Sequence, residues 1–143
     1  ALYPRFEDEE YAGVVGPIRT KNLWAFKSML DNGIHLAFGT DFPVVTYDTR
    51  LSLHRAVTRK YPDGQPENGW NPEQKLTLWD ALYAYTYSGA YKVGKENVLG
   101  SLECGKLADI VVWDRNLFDI PADDILNSGV ALTVCDGHIV YEG

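Results

Sequence analysis

Apolar positions in the first half of the chain alternate between helix spacing and short continuous runs. After Pro17, the residues Leu23, Phe26 and Leu30 fall on one side of a helix, and Asn32-Gly33 supplies a left-handed stop, which predicts one amphipathic helix. The run Ile34-His35-Leu36-Ala37-Phe38 is mostly apolar and ends in Gly39-Thr40-Asp41. That pattern predicts a buried strand opening into a polar loop. Asp48 is placed to cap a second helix over residues 49–60, with Leu53, Ala56, Val57 and Lys60 on one face and Arg55 and Arg59 on another, so that the helix packs by its aliphatic side. Residues 61–72 are dense in turn formers and predict a loop, long enough to lie over a pocket. Thr77-Leu78-Trp79-Asp80 resembles a capping box with Asp in the acidic position, and it opens a helix through Leu82, Tyr85 and Gly89.

Past residue 98 the period changes to two. Residues 108–113, 131–135 and 138–141 read as strands, and Asp136-Gly137 between the last two is a hairpin signal, because both positions of such a turn need positive φ. Residues 121–126 predict a short helical turn, ended by Ser128-Gly129. The first sixteen residues, with the acidic run Glu7-Asp8-Glu9-Glu10, read as a solvated segment.

The chain therefore divides near residue 98 into a β/α part, 1–98, and a small β part, 99–143. A single buried strand between helices cannot satisfy its backbone edges and both faces alone. Its partners are expected from a longer parent polypeptide, from other copies of the chain, or from another subunit.

Composition narrows the function classes. The 143 residues are enough for one ordinary domain, and 45% hydrophobic with 13% aromatic residues describes a folded protein. Twenty acidic against thirteen basic side chains give a net charge of −7, which repels phosphate backbones and anionic lipid and leaves a small molecule as the expected ligand. Apolar runs such as Ile110 to Trp113 are far too short to span a bilayer. The opening Ala1-Leu2-Tyr3-Pro4-Arg5 has neither Met nor a signal-like pattern, and it reads as a chain cut from something longer. Cys104 and Cys135, without CxxC spacing, read as ordinary thiols of a reducing, cytoplasmic compartment.

Four segments together carry a family resemblance: Gly39-Thr40-Asp41-Phe42-Pro43-Val44, Ala56-Val57-Thr58-Arg59, the stretch 81–90, and Gly100-Ser101-Leu102-Glu103-Cys104-Gly105-Lys106-Leu107-Ala108-Asp109 running on through Asp114. The chain resembles the C-terminal portion of the amidohydrolase superfamily, and within it amidohydrolase family 3, the group of N-substituted formamide deformylases and exoenzyme regulatory proteins. The resemblance implies an α/β fold, a C-terminal fragment of a (β/α)8 metal-dependent hydrolase barrel plus part of a flanking small β-sandwich. Residues 34–41 would then be the eighth strand and its tip, at the rim where such barrels hold their reacting groups.

It also implies chemistry. Asp41 would be both a metal ligand and a catalytic group, taking a proton from the attacking water and passing it to the leaving nitrogen of an amide or formamide. A divalent metal, Zn2+ by the resemblance, would lower the pKa of that water toward ~7. Thr40, Phe42 and Pro43 would shape the pocket floor and Trp70 would cover it. The family's His-x-His pair, its bridging Lys or Glu and its two later histidines would all lie upstream of residue 1. Since three protein ligands are usual for hydrolytic zinc, this chain alone is expected to be inactive and to bind metal weakly.

His35 would sit on the opposite rim, His54 on a packing helix and His138 in the open, all three structural. Lys106 and Asp109 are explained by a turn and a strand entry. Unpaired sheet edges predict self-association. A non-catalytic regulatory or binding protein that keeps the fold is the alternative function.

Overall fold

A computed structural model describes residues 5–143, with side chains from Glu10 onward. The chain opens with a helix that the sequence pattern did not signal, α1 (Arg5–Val15); of the acidic run, Glu10 is exposed and the side chains of Glu7, Asp8 and Glu9 lie outside the described residues. The single helix expected after Pro17 is two short ones, α2 (Pro17–Thr20) and α3 (Phe26–Asp31). Between them Trp24 takes φ 54, and its carbonyl receives the N–H of Phe26 at 2.8 Å. A helix cannot run through a residue in that conformation. Gly33, at φ 76, supplies the expected left-handed stop.

Residues 34–40 depart further from expectation. They join no sheet, and Ile34, His35 and Ala37 are exposed. The physical reason is that the described chain offers this segment no neighbouring strand; the sequence pattern left such partners to come from elsewhere. Instead, Phe38 donates its N–H to the carbonyl of Ala84, 2.9 Å away.

Helix α4 (Thr49–Thr58) begins as predicted, the Asp48 side chain accepting the N–H of Arg50. It ends two residues early, because Arg59 turns left-handed at φ 61 and gives its N–H to Arg55. The expected division of its faces is also revised. Leu53 and Ala56 are buried, but so are Arg55 and Arg59, since the following loop folds back over them. Tyr61 lies beneath the Arg55 guanidinium at 4.3 Å, and Trp70 beneath that of Arg59 at 5.3 Å.

The loop closes with a short 3-10 turn, Pro72–Gln74, and Leu76 donates its N–H to Ala56. Thr77 then caps α5 (Leu78–Tyr85) by accepting the N–H of Asp80. At Thr86 (φ −114, ψ −89) the expected helix breaks, and it resumes as α6 (Tyr87–Lys92). Gly100, at φ 87, lies so close to this break that a Cβ there would come within 2.9 Å of the Tyr87 Cα and 2.8 Å of the Ala90 Cβ, leaving no room for a side chain.

Three antiparallel strands follow: β1 (Ile110–Trp113), β2 (Val130–Cys135) and β3 (His138–Glu142), in the order β1-β2-β3. Ile110 faces Val134 and Cys135 faces His138, with one irregularity in each ladder. Asp136 (φ 47) and Gly137 (φ 78) make the predicted two-residue turn, and Asp109 accepts the N–H of Asp136 at 2.7 Å. The connection from β1 to β2 carries the expected short helical turn, Ala122–Asn127.

The core joins these parts. Leu53, Ala56, Leu76, Ala81 and Ile125 form a buried cluster, with Phe26, Phe38, Tyr85 and Trp113 packed against it. Ile125 and Trp113 thereby bring the turn and the sheet onto α4 and α5. Among the described residues, no helix is long and apolar enough to cross a membrane.

Candidate functional site

Asp41 follows directly on residues 34–40 and takes φ 53, a left-handed conformation that Asp tolerates better than most side chains. Its carbonyl accepts the N–H of Val44 at 2.8 Å, closing a tight turn. Asp41, Phe42 and Pro43 are exposed and Thr40 is half-buried. The Phe42 ring meets the Tyr47 ring edge-on, with centroids 5.6 Å apart. The turn is thus presented outward rather than folded into the core, with the Asp41 carboxylate on the exposed residue at its start.

The loop ends at a tight charged cluster. Arg50 grips Asp48 through both carboxylate oxygens, Nε to Oδ1 at 2.8 Å and Nη2 to Oδ2 at 2.6 Å. This hydrogen bonding holds the Asp48 carboxyl below its ordinary pKa and raises that of Arg50. The remaining Nη1 donates to the carbonyl of Ser128 at 2.9 Å.

Thr40, Asp41, Phe42 and Pro43 share one turn, but Trp70 belongs to another neighbourhood. Its N–H goes to the Arg59 carbonyl at 2.8 Å and its carbonyl receives Arg59 Nε at 2.9 Å. Among the described residues, no hydrogen bond or ring contact joins it to residues 40–43.

The histidines are dispersed. His35 is exposed and stacks on Tyr91 at 5.1 Å, His54 is buried with Nε2 3.3 Å from the Asp123 carboxylate, and His138 is exposed at the start of β3. Lys106 reaches Ser101 at 2.5 Å and Glu103 at 3.3 Å. Cys104 and Cys135 are free and exposed. Among the described residues, no group of three or more His, Cys, Asp or Glu side chains could hold a metal ion. These residues do not make a metal centre by themselves; Asp41 offers a single carboxylate.

Two features were not read from the sequence. One is the buried arginine pair: burial lowers the pKa of both Arg55 and Arg59 to about 10, an expression of how costly those charges are to desolvate. Their i,i+4 spacing ahead of Tyr61 and Trp70 was the available signal. The other is an open groove of about 300 Å³ between α3 and α5, lined by Leu30, Ile34, Leu36, Trp79, Tyr83 and Ala84 among others.

Comparison with known proteins settles the kinship. The model of the amidohydrolase family matches residues 1–141. An N-substituted formamide deformylase of Arthrobacter pascens is 32% identical over 120 residues, covering 84% of this chain and 22% of that protein. A Bacillus subtilis protein named as an amidohydrolase is 31% identical over 144 residues, covering 99% of this chain and 27% of that protein. A crystal structure of an amidohydrolase from Thermotoga maritima superposes with a TM-score of 0.62 at 26% identity, covering 84% of this chain and 26% of that one. The chain thus spans about a quarter of the length of these relatives, and throughout that span it belongs to the amidohydrolase family.

Proposed function

We propose that this chain is the C-terminal part of a metal-dependent hydrolase that cleaves a non-peptide C–N bond, in an amide or formamide-like small molecule. The observation that carries the reading is the family match across residues 1–141. The exposed, left-handed Asp41 at the tip of residues 34–40 is consistent with it. Residues 1–98 are then the last β/α units of a barrel, and 99–143 are the closing strands of its small β-sandwich.

Members of the family generally use a divalent metal, and Zn2+ is the ion proposed here. When bound, such an ion polarises the carbonyl and acidifies water. The other ligands come from polypeptide outside this chain, so the chain alone is inactive. Asp41 is the one ligand it contributes, and its carboxylate takes the proton of the attacking water and returns it to the departing nitrogen. Thr40, Phe42 and Pro43 border the substrate and Trp70 stands farther out on its loop. The location is cytoplasmic.

The test is Asp41→Asn in the intact protein, assayed against a panel of formamides and N-acyl amines. Turnover falls by about 10³-fold or more while the fold is kept. An unchanged rate removes Asp41 from the chemistry. An intact protein without transition metal, and without activity when one is added, is a binding or regulatory protein instead.

A further inference from the structure

The turn that carries Asp41 has little of its own to hold it. Asp41, Phe42, Pro43 and Val44 are exposed, and the backbone bond from Val44 to Asp41 is internal to the turn. A non-glycine residue at φ 53 is strained and persists where its surroundings enforce it. Upstream the enforcement is the bond from Phe38 to Ala84. Downstream it converges on one guanidinium.

Arg50 uses three of its donors in two directions. Nε and Nη2 close on the two oxygens of Asp48, whose Oδ1 also caps α4 through the Arg50 N–H at 3.1 Å. Nη1 reaches the carbonyl of Ser128, a residue 1% exposed and 78 positions away in sequence. The start of α4 is thus tied to the segment that enters β2. The edge contact between Phe42 and Tyr47 carries this anchorage back to the turn, because Phe42 adjoins Asp41 and Tyr47 adjoins Asp48. Thr46 contributes by accepting the Asp48 N–H at 3.3 Å. A lysine ammonium at position 50 could not span both carboxylate oxygens and the Ser128 carbonyl; a planar fork can.

We propose that Arg50 is a positioning residue, which holds residues 41–47 in the geometry that presents the Asp41 carboxylate and ties that turn to the segment entering β2. It touches no reacting atom, and its importance for turnover rests on the reading of Asp41 given above. The Arg50 and Asp48 side chains are 38% and 30% exposed, so the solvent-screened pair adds little to stability, and removing the guanidinium disturbs the turn without unfolding the chain.

The experiment has two arms. In the first, backbone resonances of the intact protein are compared with those of its Arg50→Gln variant, and with Arg50→Lys should the glutamine variant unfold. Residues 41–47 shift and Asp41 loses its left-handed signature, while Leu53 and Ile125 keep their wild-type shifts. Changes confined to residues 48–52 and 128 overturn the proposal.

In the second arm, Arg50→Gln and Arg50→Lys in the intact protein lower kcat by about 10²-fold with KM within about twofold, and free guanidinium restores part of the rate to Arg50→Gly. A variant with wild-type kcat, alongside an inactive Asp41→Asn, overturns the positioning role alone. An active Asp41→Asn overturns the reading of Asp41, and the first arm then still decides whether Arg50 holds the turn.

Discussion

Phe38 donates its backbone N–H to the carbonyl of Ala84 across 2.9 Å, joining the segment before Asp41 to the end of α5. The acceptor is available because α5 stops at Tyr85. In a continuing helix the Ala84 carbonyl would receive the N–H of Ser88, but the break at Thr86 removes that donor. A failed helix thus supplies the partner that a missing strand does not. His35, Leu36 and Ala37 have no such bond among the described residues. The Phe38 amide should therefore exchange with solvent about fivefold or more slowly than theirs, corresponding to roughly 1 kcal/mol for one net hydrogen bond. Hydrogen exchange followed by NMR measures this, and equal rates across 35–38 would remove the bond as an anchor.

The same segment shows what the sequence could and could not convey. The Asp48 and Thr77 caps, the left-handed stop at Gly33 and the Asp136-Gly137 turn are local devices, each specified by residues within four positions, and each is found where the pattern put it. The break at Trp24, whose carbonyl receives Arg59 Nη1, the break at Thr86, against which Gly100 lies, and the burial of Arg55 and Arg59 under the loop that folds back over them all involve partners more than a helical turn away. No window of local periodicity carries that information. Asp41 was legible as a polar tip after an apolar run, whereas its anchorage runs through the Ser128 carbonyl, to which the sequence around residue 50 gives no pointer.

Arg59 carries a prediction about stability. It is 3% exposed, bonds the carbonyls of Trp70 and Trp24 at 2.9 and 3.2 Å, and lies over the Trp70 ring. Arg59→Lys keeps the charge, but it cannot reach both carbonyls or stack as a plane, so a buried cation loses one of its charge-assisted hydrogen bonds and its ring contact. It should cost about 2 kcal/mol, read from urea denaturation with unchanged slope. A loss within the error of wild type would mean that the guanidinium is a passenger in its pocket.

His54 predicts how stability depends on pH. It is 2% exposed, and burial is the largest influence on it, lowering its pKa from 6.5; the Asp123 carboxylate opposes this and Lys60 assists it. The folded pKa lies below the unfolded one. In the window just under 6.5 the unfolded chain therefore binds a proton that folded His54 refuses, and stability falls as pH falls through that window. Asp123, whose pKa is lowered chiefly by its hydrogen bond to Lys60, acts in a separate window, its contribution being lost below its ordinary 3.8. Urea midpoints at about pH 7 and about pH 5.5 should differ for wild type and differ less for His54→Gln. Equal slopes in the two proteins would assign the dependence to other groups.

The sheet edge predicts association. In the order β1-β2-β3, strand β3 is an outer strand whose far backbone edge has no partner strand among the described residues, and all five of its residues are exposed, with Ile139 at 64%, Val140 at 62% and Tyr141 at 51%. An apolar edge of this kind is a template for another strand, and a lysine on it raises the cost of pairing two copies. Sedimentation equilibrium of the isolated chain should therefore give a mass above 16.0 kDa that grows with concentration, and Val140→Lys should bring it down toward the monomer. A wild-type chain that stays monomeric across the range would end the expectation of self-association. Association unchanged by the lysine would move its cause away from β3, to the groove beside Ile34 and Trp79, where a second substitution, Trp79→Glu, separates the two surfaces.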